Sequence, residues 1–461
     1  MANMKVYFET FGCQMNKLDS EAAAERLLAD GFGLADGPDD ADVILFNTCS
    51  VREHAEERVY SRIGSLKWAK RRRPELLIGV MGCMAQKDGE LILRRSPLVD
   101  IVCAPRQEAH LAALIAQARN GRRVLALDDL GRRIERRTAP RGVVEVAPCD
   151  DGAFERQGAA RPSPFQAFVA ITLGCDNFCS YCIVPFVRGP EQSRPAGEIA
   201  GEVQRLAASG VCEITLLGQN VNSYAGGLPG LLRRIHDIPG IERIRFVTSH
   251  PKDVTDELLA AMAELPKVCE HLHAPAQSGS SSVLERMNRR YTRDQYLGMV
   301  ERAREIVPGI EIASDFIVGF PGETEEDFQQ TVDLVRRAEF NQSYIFKYSP
   351  RSGTRAAAMP DDVPDAVKKR RNSELLAVQS EVSARRNRAM HGRALDVLIE
   401  GPSKSDAGRL SGRSRGNDIV VARCASAEDA SELTGRIVPV RITNSTALTL
   451  FGEIEESRPR P

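Results

Sequence analysis

Residues 171–195 read ITLGCDNFCSYCIVPFVRGPEQSRP, and Cys175, Cys179 and Cys182 stand in them as C-x-x-x-C-x-x-C. The apolar run FQAFVAIT precedes them, so a strand is expected to end near Gly174 with the thiols on a loop beyond its carboxyl end. Three thiolates so close together can close around one soft metal centre and leave a single coordination position open. A structural zinc site would pair its cysteines with a second C-x₂₋₄-C or with histidines further on. Neither follows here, so a three-thiolate [4Fe–4S] cluster with one open iron is the stronger reading. Core cysteines scatter, and three of them on a Gly-led loop do not look like packing.

The segment resembles the radical S-adenosylmethionine enzymes, and Phe178 and Tyr181 inside the loop fit that pattern. The resemblance implies that the amino and carboxylate groups of S-adenosylmethionine chelate the open iron. A chain of 461 residues has room for about two to four domains with substantial cores. Its 42% hydrophobic and 27% charged residues are ordinary for a soluble globular protein. No apolar run approaches bilayer-spanning length, and MANMKVYFETFGC runs directly into a strand-like pattern without a signal or transit segment. Eleven cysteines, an odd number, fit metal work in a reducing cytoplasm better than disulfides.

Upstream, residues 4–104 alternate short apolar strands with helical stretches, the pattern of a doubly wound parallel sheet. The strands are KVYFET, DVILFN, LLIGVM and VDIVCA. One helix is expected from Asp19 to Asp30, capped by Asp19 or Ser20 and stopped by Gly31, and another from Val51 to Lys70. Cys13 follows the first strand, Cys49 the second and Cys83 the third. In such sheets the carboxyl ends of the strands share one edge, so these three distant thiols should meet there as a second metal site. Cys103 ends the fourth strand without a comparable turn and reads as core. The motifs TFGCQMNKLDSE, NTCSVREHAEERV and GCMAQ closely resemble the N-terminal domain of the methylthiotransferases. That resemblance implies an auxiliary [4Fe–4S] cluster on Cys13, Cys49 and Cys83.

Residues 138–164 are rich in Pro, Gly and Ala without a period and read as a linker, with Cys149 a plain thiol inside it. From Phe165 six strand–helix units follow, with strands FQAFVAIT, EITLLGQ, RIRFVTS, EHLHAPA, IEIASDFIVGF and QSYIFKY. Six such units suggest an open partial barrel with its chemistry at the carboxyl ends of the strands. Gly218, Gln219, Asn220 and Ser249 fall there and are the candidate cofactor-binding residues. Thr324 and Asp327 form a capping box. The SHP, QSGS and DFIVGFPGET stretches resemble the barrel of the same family, although Ala274 and Ala276 stand where it has larger apolar residues.

The last stretch, with strands ALDVLIE, RLSGRSRGNDIVVA, GRIVPVRITN and ALTLFGEIE, reads as a small β-barrel. Between residues 388 and 452, nine Lys or Arg face seven Asp or Glu, so charge alone does not declare RNA binding. Position and topology resemble the TRAM barrel that ends the family. The expected domains are thus 1–137, a linker 138–164, the partial barrel 165–385 and the small barrel 386–456.

Other residues have competing readings. Arg188, Glu191 and Arg194 can bind a substrate or cofactor carboxylate or form a salt-bridged loop. His271 and His273 are expected to point to opposite faces of their strand, as core or capping histidines. Asn16 fits a cluster-supporting or a helix-capping role. Trp68, in the basic run Lys67, Lys70, Arg71, Arg72 and Arg73, can stack on a base, but burial against the sheet is the expected outcome. Arg132, Arg133, Arg136 and Arg137 form a second basic run, read as solvated.

The resemblance implies that the radical formed from S-adenosylmethionine abstracts hydrogen from an unactivated carbon, that the auxiliary cluster supplies sulfur, and that a further S-adenosylmethionine supplies the methyl group. No catalytic acid, base or nucleophile is needed. Met15-Asn16 favours the branch that methylthiolates carbon 2 of a dimethylallylated adenosine beside the tRNA anticodon. The alternatives are the branch acting on an aspartate of a small-subunit ribosomal protein, and a non-catalytic iron–sulfur RNA-binding protein. A flavodoxin- or ferredoxin-type electron donor, a sulfur donor, a monomeric state and no membrane contact complete the expectation.

Overall fold

In a computed structural model the chain forms three stacked units. The structure describes residues 4–50, 53–130, 139–147, 161, 163–404, 406, 408–423 and 431–455. Arg132, Arg133, Arg136, Arg137 and Cys149 lie outside them. Among the described residues no helix is long and apolar enough to cross a membrane.

The first unit is a seven-stranded, all-parallel sheet. Its central strands, Val43–Thr48 and Leu77–Gly82, are buried at every position, as parallel strands covered on both faces should be. The seventh strand, Val143–Val146, pairs with Arg123–Ala126. Four residues of the stretch 138–164, expected as a linker, thus complete the first sheet, while 138, 148–160 and 162 lie outside the described residues. Four residues among Pro and Gly are too short to show a period.

The first helix spans Gln14–Ala29 and starts directly after Cys13, its N-cap. Asp19 and Ser20, expected to cap it, lie inside it and are buried. Both bond elsewhere in the fold, Asp19 to Arg188 and Ser20 to Thr10 and Asn47. The stretch expected as one helix from Val51 to Lys70 is two, Glu53–Ser65 and Lys67–Arg72. Trp68 is not buried: it is 69% exposed, with the Arg71 guanidinium 5.2 Å from its ring centre.

The second unit has six parallel strands in the predicted order: Gln166–Ala170, Glu213–Leu217, Arg243–Phe246, His271–His273, Glu311–Val318 and Gln342–Lys347. A bridge between Ile244 and Val268 joins the third strand to the approach of the fourth. The Thr324–Asp327 capping box is formed. His271 and His273 do not oppose each other. Residues two apart on a strand share a face, and Leu272 between them faces the helical side, in the apolar core.

A 24-residue helix, Asp365–Arg388, leads to the third unit, a closed five-stranded barrel filled by Val397, Ile399, Leu410, Val420, Val438, Val440, Ile442 and Leu450. This barrel plugs the amino-terminal mouth of the second unit. Arg243, 1% exposed, donates to the carbonyls of Arg413 and Asp396 at 2.9 and 2.8 Å. Arg245 donates to those of Arg415 and Ser414. The first unit covers the opposite, carboxyl-terminal mouth, where Met15 and Leu18 pack on Ala170, Leu173 and Leu217.

Candidate metal and cofactor centre

Parallel register brings the N-terminal cysteines together. Phe11 is paired with Thr48, and Thr48 with Gly82, at the ends of three adjacent strands. Cys49 and Cys83 are therefore the next residues on their strands, and Cys13 comes one residue later on its own. Glycine permits the tight exit at Gly82, with φ +88°: a Cβ there would stand 2.2 Å from Asn47 Oδ1 and 2.9 Å from the Thr48 carbonyl. Asn16 and Asn47 lock the rim from beneath. Asn16 Nδ2 donates to Asn47 Oδ1 at 2.9 Å, and Asn47 Nδ2 to the Asn16 carbonyl at 2.8 Å. Asn16 therefore supports the rim from inside the helix and does not cap it; its Oδ1 accepts from the Cys13 thiol at 3.2 Å. A hydrogen bond shared with Cys49, aided by the Arg188 cation, brings the Cys13 thiol down to about 6 against the effect of burial. Burial pushes Cys83 up. Cys103 is fully buried among apolar side chains and pushed well up, as a core thiol is.

The second cysteine set lies at the facing mouth of the central unit. Gly174, with φ +77°, ends the strand Thr172–Leu173, and a Cβ there would stand 2.0 Å from the Pro190 carbonyl oxygen. The Cys175 amide donates to the Gly189 carbonyl at 3.2 Å, and the Cys182 amide to that of Cys179 at 2.9 Å. The loop is tied to a distant turn: Ser180 Oγ donates to the Arg286 carbonyl at 2.8 Å, and Asn288 Nδ2 to that of Phe178 at 2.9 Å. Burial raises Cys175 and Cys182, and the neighbouring thiols of the set raise them further. Such mutual repulsion is relieved when a metal centre takes the thiolates. Arg289, which no spacing rule singles out, places Nη1 3.5 Å from Cys179 Sγ while Nη2 donates to the Pro275 carbonyl at 2.7 Å.

Each set thus has buried sulfur donors, N–H groups aimed at a sulfur and glycines that let the chain close in. Among the described residues no three His, Cys, Asp or Glu side chains form the ligand set of a single metal ion. A four-iron cluster, whose ligand sulfurs sit on separate irons, asks for wider spacing than one ion does.

The candidate cofactor residues divide. Gln219 Oε1 and Ser249 Oγ are buried with no protein partner, as is Thr172 Oγ1 on the neighbouring strand. Such orphaned atoms at the carboxyl ends of barrel strands suit a polar ligand. Gly218 is needed for close approach, since a Cβ would collide with Thr172 Oγ1 at 2.0 Å. Asn220, in contrast, is engaged by the fold, donating to Asp253 at 3.0 Å and accepting from the His250 amide at 3.1 Å.

For Arg188 and Arg194 the salt-bridged reading holds: both are buried, paired to Asp19 and Glu202 respectively. Glu191 accepts from Ser223 at 2.6 Å, and burial raises its carboxyl. His273 accepts the Thr248 amide at Nδ1, which leaves Nε2 to donate to Asp315 at 3.2 Å.

Comparison with known proteins gives three family matches: the uncharacterized protein family UPF0004 at residues 5–104, the radical SAM superfamily at 169–335 and the TRAM domain at 388–454. The chain is 45% identical to the tRNA-2-methylthio-N(6)-dimethylallyladenosine synthase of Caldicellulosiruptor saccharolyticus, covering 98% of this chain and 93% of that one. It is 46% identical to the synthase of the same name from Rhodopirellula baltica, covering 98% and 95%. In fold it is similar to the radical S-adenosylmethionine methyltransferase TsrM from Kitasatospora setae, with a TM-score of 0.55 and 15% identity over 77% of each chain.

Proposed function

The chain belongs to the tRNA-2-methylthio-N(6)-dimethylallyladenosine synthases, and from that premise we propose how its residues divide the reaction. It is a radical S-adenosylmethionine methylthiotransferase that acts on carbon 2 of N(6)-dimethylallyladenosine beside the tRNA anticodon. Cys175, Cys179 and Cys182 hold the [4Fe–4S] cluster that carries S-adenosylmethionine. Cys13, Cys49 and Cys83 hold a second, auxiliary cluster. When bound, these groups supply a 5′-deoxyadenosyl radical for a carbon with no acidic proton and the sulfur that is inserted there.

The protein's own part is placement. Gln219 and Ser249 bind the polar groups of the cofactor over the barrel mouth, Gly218 gives it room, and Asn220 shapes the loop beneath. The first unit covers that mouth, which excludes water from a reactive radical. The C-terminal barrel binds tRNA. Electrons come from a flavodoxin- or ferredoxin-type donor and sulfur from a separate donor, in the cytoplasm, to a monomeric enzyme.

One observation carries this reading: two cysteine triads stand at one interface, joined by Arg188, which spans from the second triad's loop to Cys83. The test is mass spectrometry of tRNA nucleosides from cells with and without the gene. Methylthiolated dimethylallyladenosine should vanish from the deleted strain. Its persistence at parental level, with no second enzyme of this kind encoded, would remove the proposal.

A further inference from the structure

We propose that Arg188 is a positioning residue for sulfur insertion: from the central unit it reaches into the N-terminal one and sets the reduction potential of the auxiliary cluster. The inference rests on the reading that Cys13, Cys49 and Cys83 hold that cluster.

Arg188 follows the second cysteine set at the end of the short helix Val184–Val187, yet its side chain ends within the first set. Its Nη2 and Nη1 donate to Asp19 Oδ2 and Oδ1 at 2.5 and 3.2 Å, and its Nε donates to Cys83 Sγ at 3.3 Å. The Arg188 side chain is 5% exposed. Asp19 belongs to the helix that Cys13 caps. The backbone of the same segment faces the other way: the Gly189 carbonyl accepts the Cys175 amide at 3.2 Å. The Arg188 carbonyl is fixed by Arg106 Nη2 at 3.1 Å. One short segment therefore grips Cys83 by its side chain and Cys175 by its main chain.

A buried ion pair is a poor device for stability alone, because desolvation offsets much of its attraction. Beside a sulfur ligand it has another effect. A cation donating to the thiolate favours the reduced, more negative cluster, so it raises the potential. The Asp19 carboxylate offsets part of that charge. Removing the cation should lower the potential. Neutralising the carboxylate, while the cation stays, should raise it. A mere clamp predicts otherwise, since either change breaks the same ion pair and should disturb the cluster in the same sense.

The experiment is an EPR-monitored redox titration of the full-length, anaerobically reconstituted protein. Parent, Arg188→Gln and Asp19→Asn are compared, each also with Cys175, Cys179 and Cys182 replaced by Ala so that one signal remains. The expected result is a lower auxiliary potential in Arg188→Gln and a higher one in Asp19→Asn, with the other cluster unmoved. Unchanged potentials, or shifts of one sign in both variants, would overturn the inference. Should Arg188→Gln fail to keep its iron, Asp19→Asn decides alone, because it retains the cation and must titrate higher. If the triple-Ala protein binds no iron at all, the auxiliary-cluster reading itself fails; if it binds about four irons and the potentials do not move, only the role of Arg188 does.

Discussion

Arg415 of the C-terminal barrel closes a two-pronged ion pair on Glu270 of the central unit, with Nε and Nη2 each 2.7 Å from a carboxylate oxygen. It is the outer edge of a seam whose centre is the buried pair Arg243 and Arg245. The pair at the edge is partly exposed and contributes no more than about 1 kcal/mol, but Arg415 Nη2 also donates to the Val268 carbonyl at 2.7 Å, so Arg415→Ala should cost about 1–2 kcal/mol. Arg243→Ala takes the donors from two part-buried carbonyls and empties the space of a side chain that is itself buried, so it should cost about 2–4 kcal/mol. Calorimetry of both variants tests this. The C-terminal barrel should detach at clearly lower temperature in Arg243→Ala than in Arg415→Ala. Equal melting of the two would contradict the seam.

Because this seam lies at the amino-terminal mouth, cutting the chain before Arg388 leaves the opposite mouth and its cysteines untouched. The shortened protein should still cleave S-adenosylmethionine. Its affinity for tRNA should fall, and the salt dependence of binding should become shallower as phosphate contacts are lost. Tight tRNA binding by the shortened chain would reassign the RNA role.

Glu311 starts the fifth barrel strand at the same seam, and burial lifts its carboxyl from 4.5 to about 7, against Arg386 at 2.7 Å and with help from Asp418. A raised acid binds more protons folded than unfolded, so its stabilising effect is complete below about pH 4.5 and is lost as pH rises toward 7. His250 works the other way. Burial beside Arg289 holds it down to about 2, so its contribution is lost as pH falls below 6.5. Glu311→Gln removes the first dependence. Relative to the parent, that variant should gain apparent stability between pH 5 and pH 8, by at most about 3 kcal/mol. Melting curves at the two pH values give the difference. A gain of the opposite sign would refute the assignment.

What could be read from the chain was local. Each strand followed by Gly-Cys or Asn-Thr-Cys announces a cysteine at a sheet edge, because a parallel sheet gathers its carboxyl ends on one side. Six further strands in order made the barrel legible for the same reason. Long-range partners were not legible. Nothing in VRGPEQSR says that Arg188 finds Asp19, 169 positions away, or that Asp19 therefore sits inside a helix it was expected to cap. Arg289 carries no motif at all. Trp68 looked like a core residue by type, but it lies on a short helix with Arg71 over its exposed ring.

The two glycines at the strand exits should separate the clusters without touching a ligand. Gly82→Ala forces a Cβ onto Asn47 Oδ1 and the Thr48 carbonyl; Gly174→Ala forces one onto the Pro190 and Gly189 carbonyls. Both also place an L-residue at positive φ, at a cost of about 1 kcal/mol or more. Reconstituted parent should hold about eight irons per chain, and each variant about four. Full iron content in both would show that neither exit shapes a cluster site.

The sharpest separation is chemical. Cys179→Ala removes a thiol from the set at the barrel mouth and the sulfur that Arg289 approaches at 3.5 Å. That set should bind and reduce the cofactor, so the variant should yield neither 5′-deoxyadenosine nor methylthiolated tRNA. Cys49→Ala acts in the other unit. Its backbone amide still bonds the Phe11 carbonyl at 3.1 Å, so the sheet edge keeps its register while one thiol is lost. On the proposed division radical formation needs only the barrel-mouth set, so 5′-deoxyadenosine should still appear, more slowly and uncoupled from product. Sulfur insertion should stop. Both products are followed together under reductant for the parent and the two variants. Parental sulfur insertion by Cys49→Ala would strip the N-terminal cysteines of their role, and 5′-deoxyadenosine from Cys179→Ala would move cofactor cleavage away from Cys175, Cys179 and Cys182.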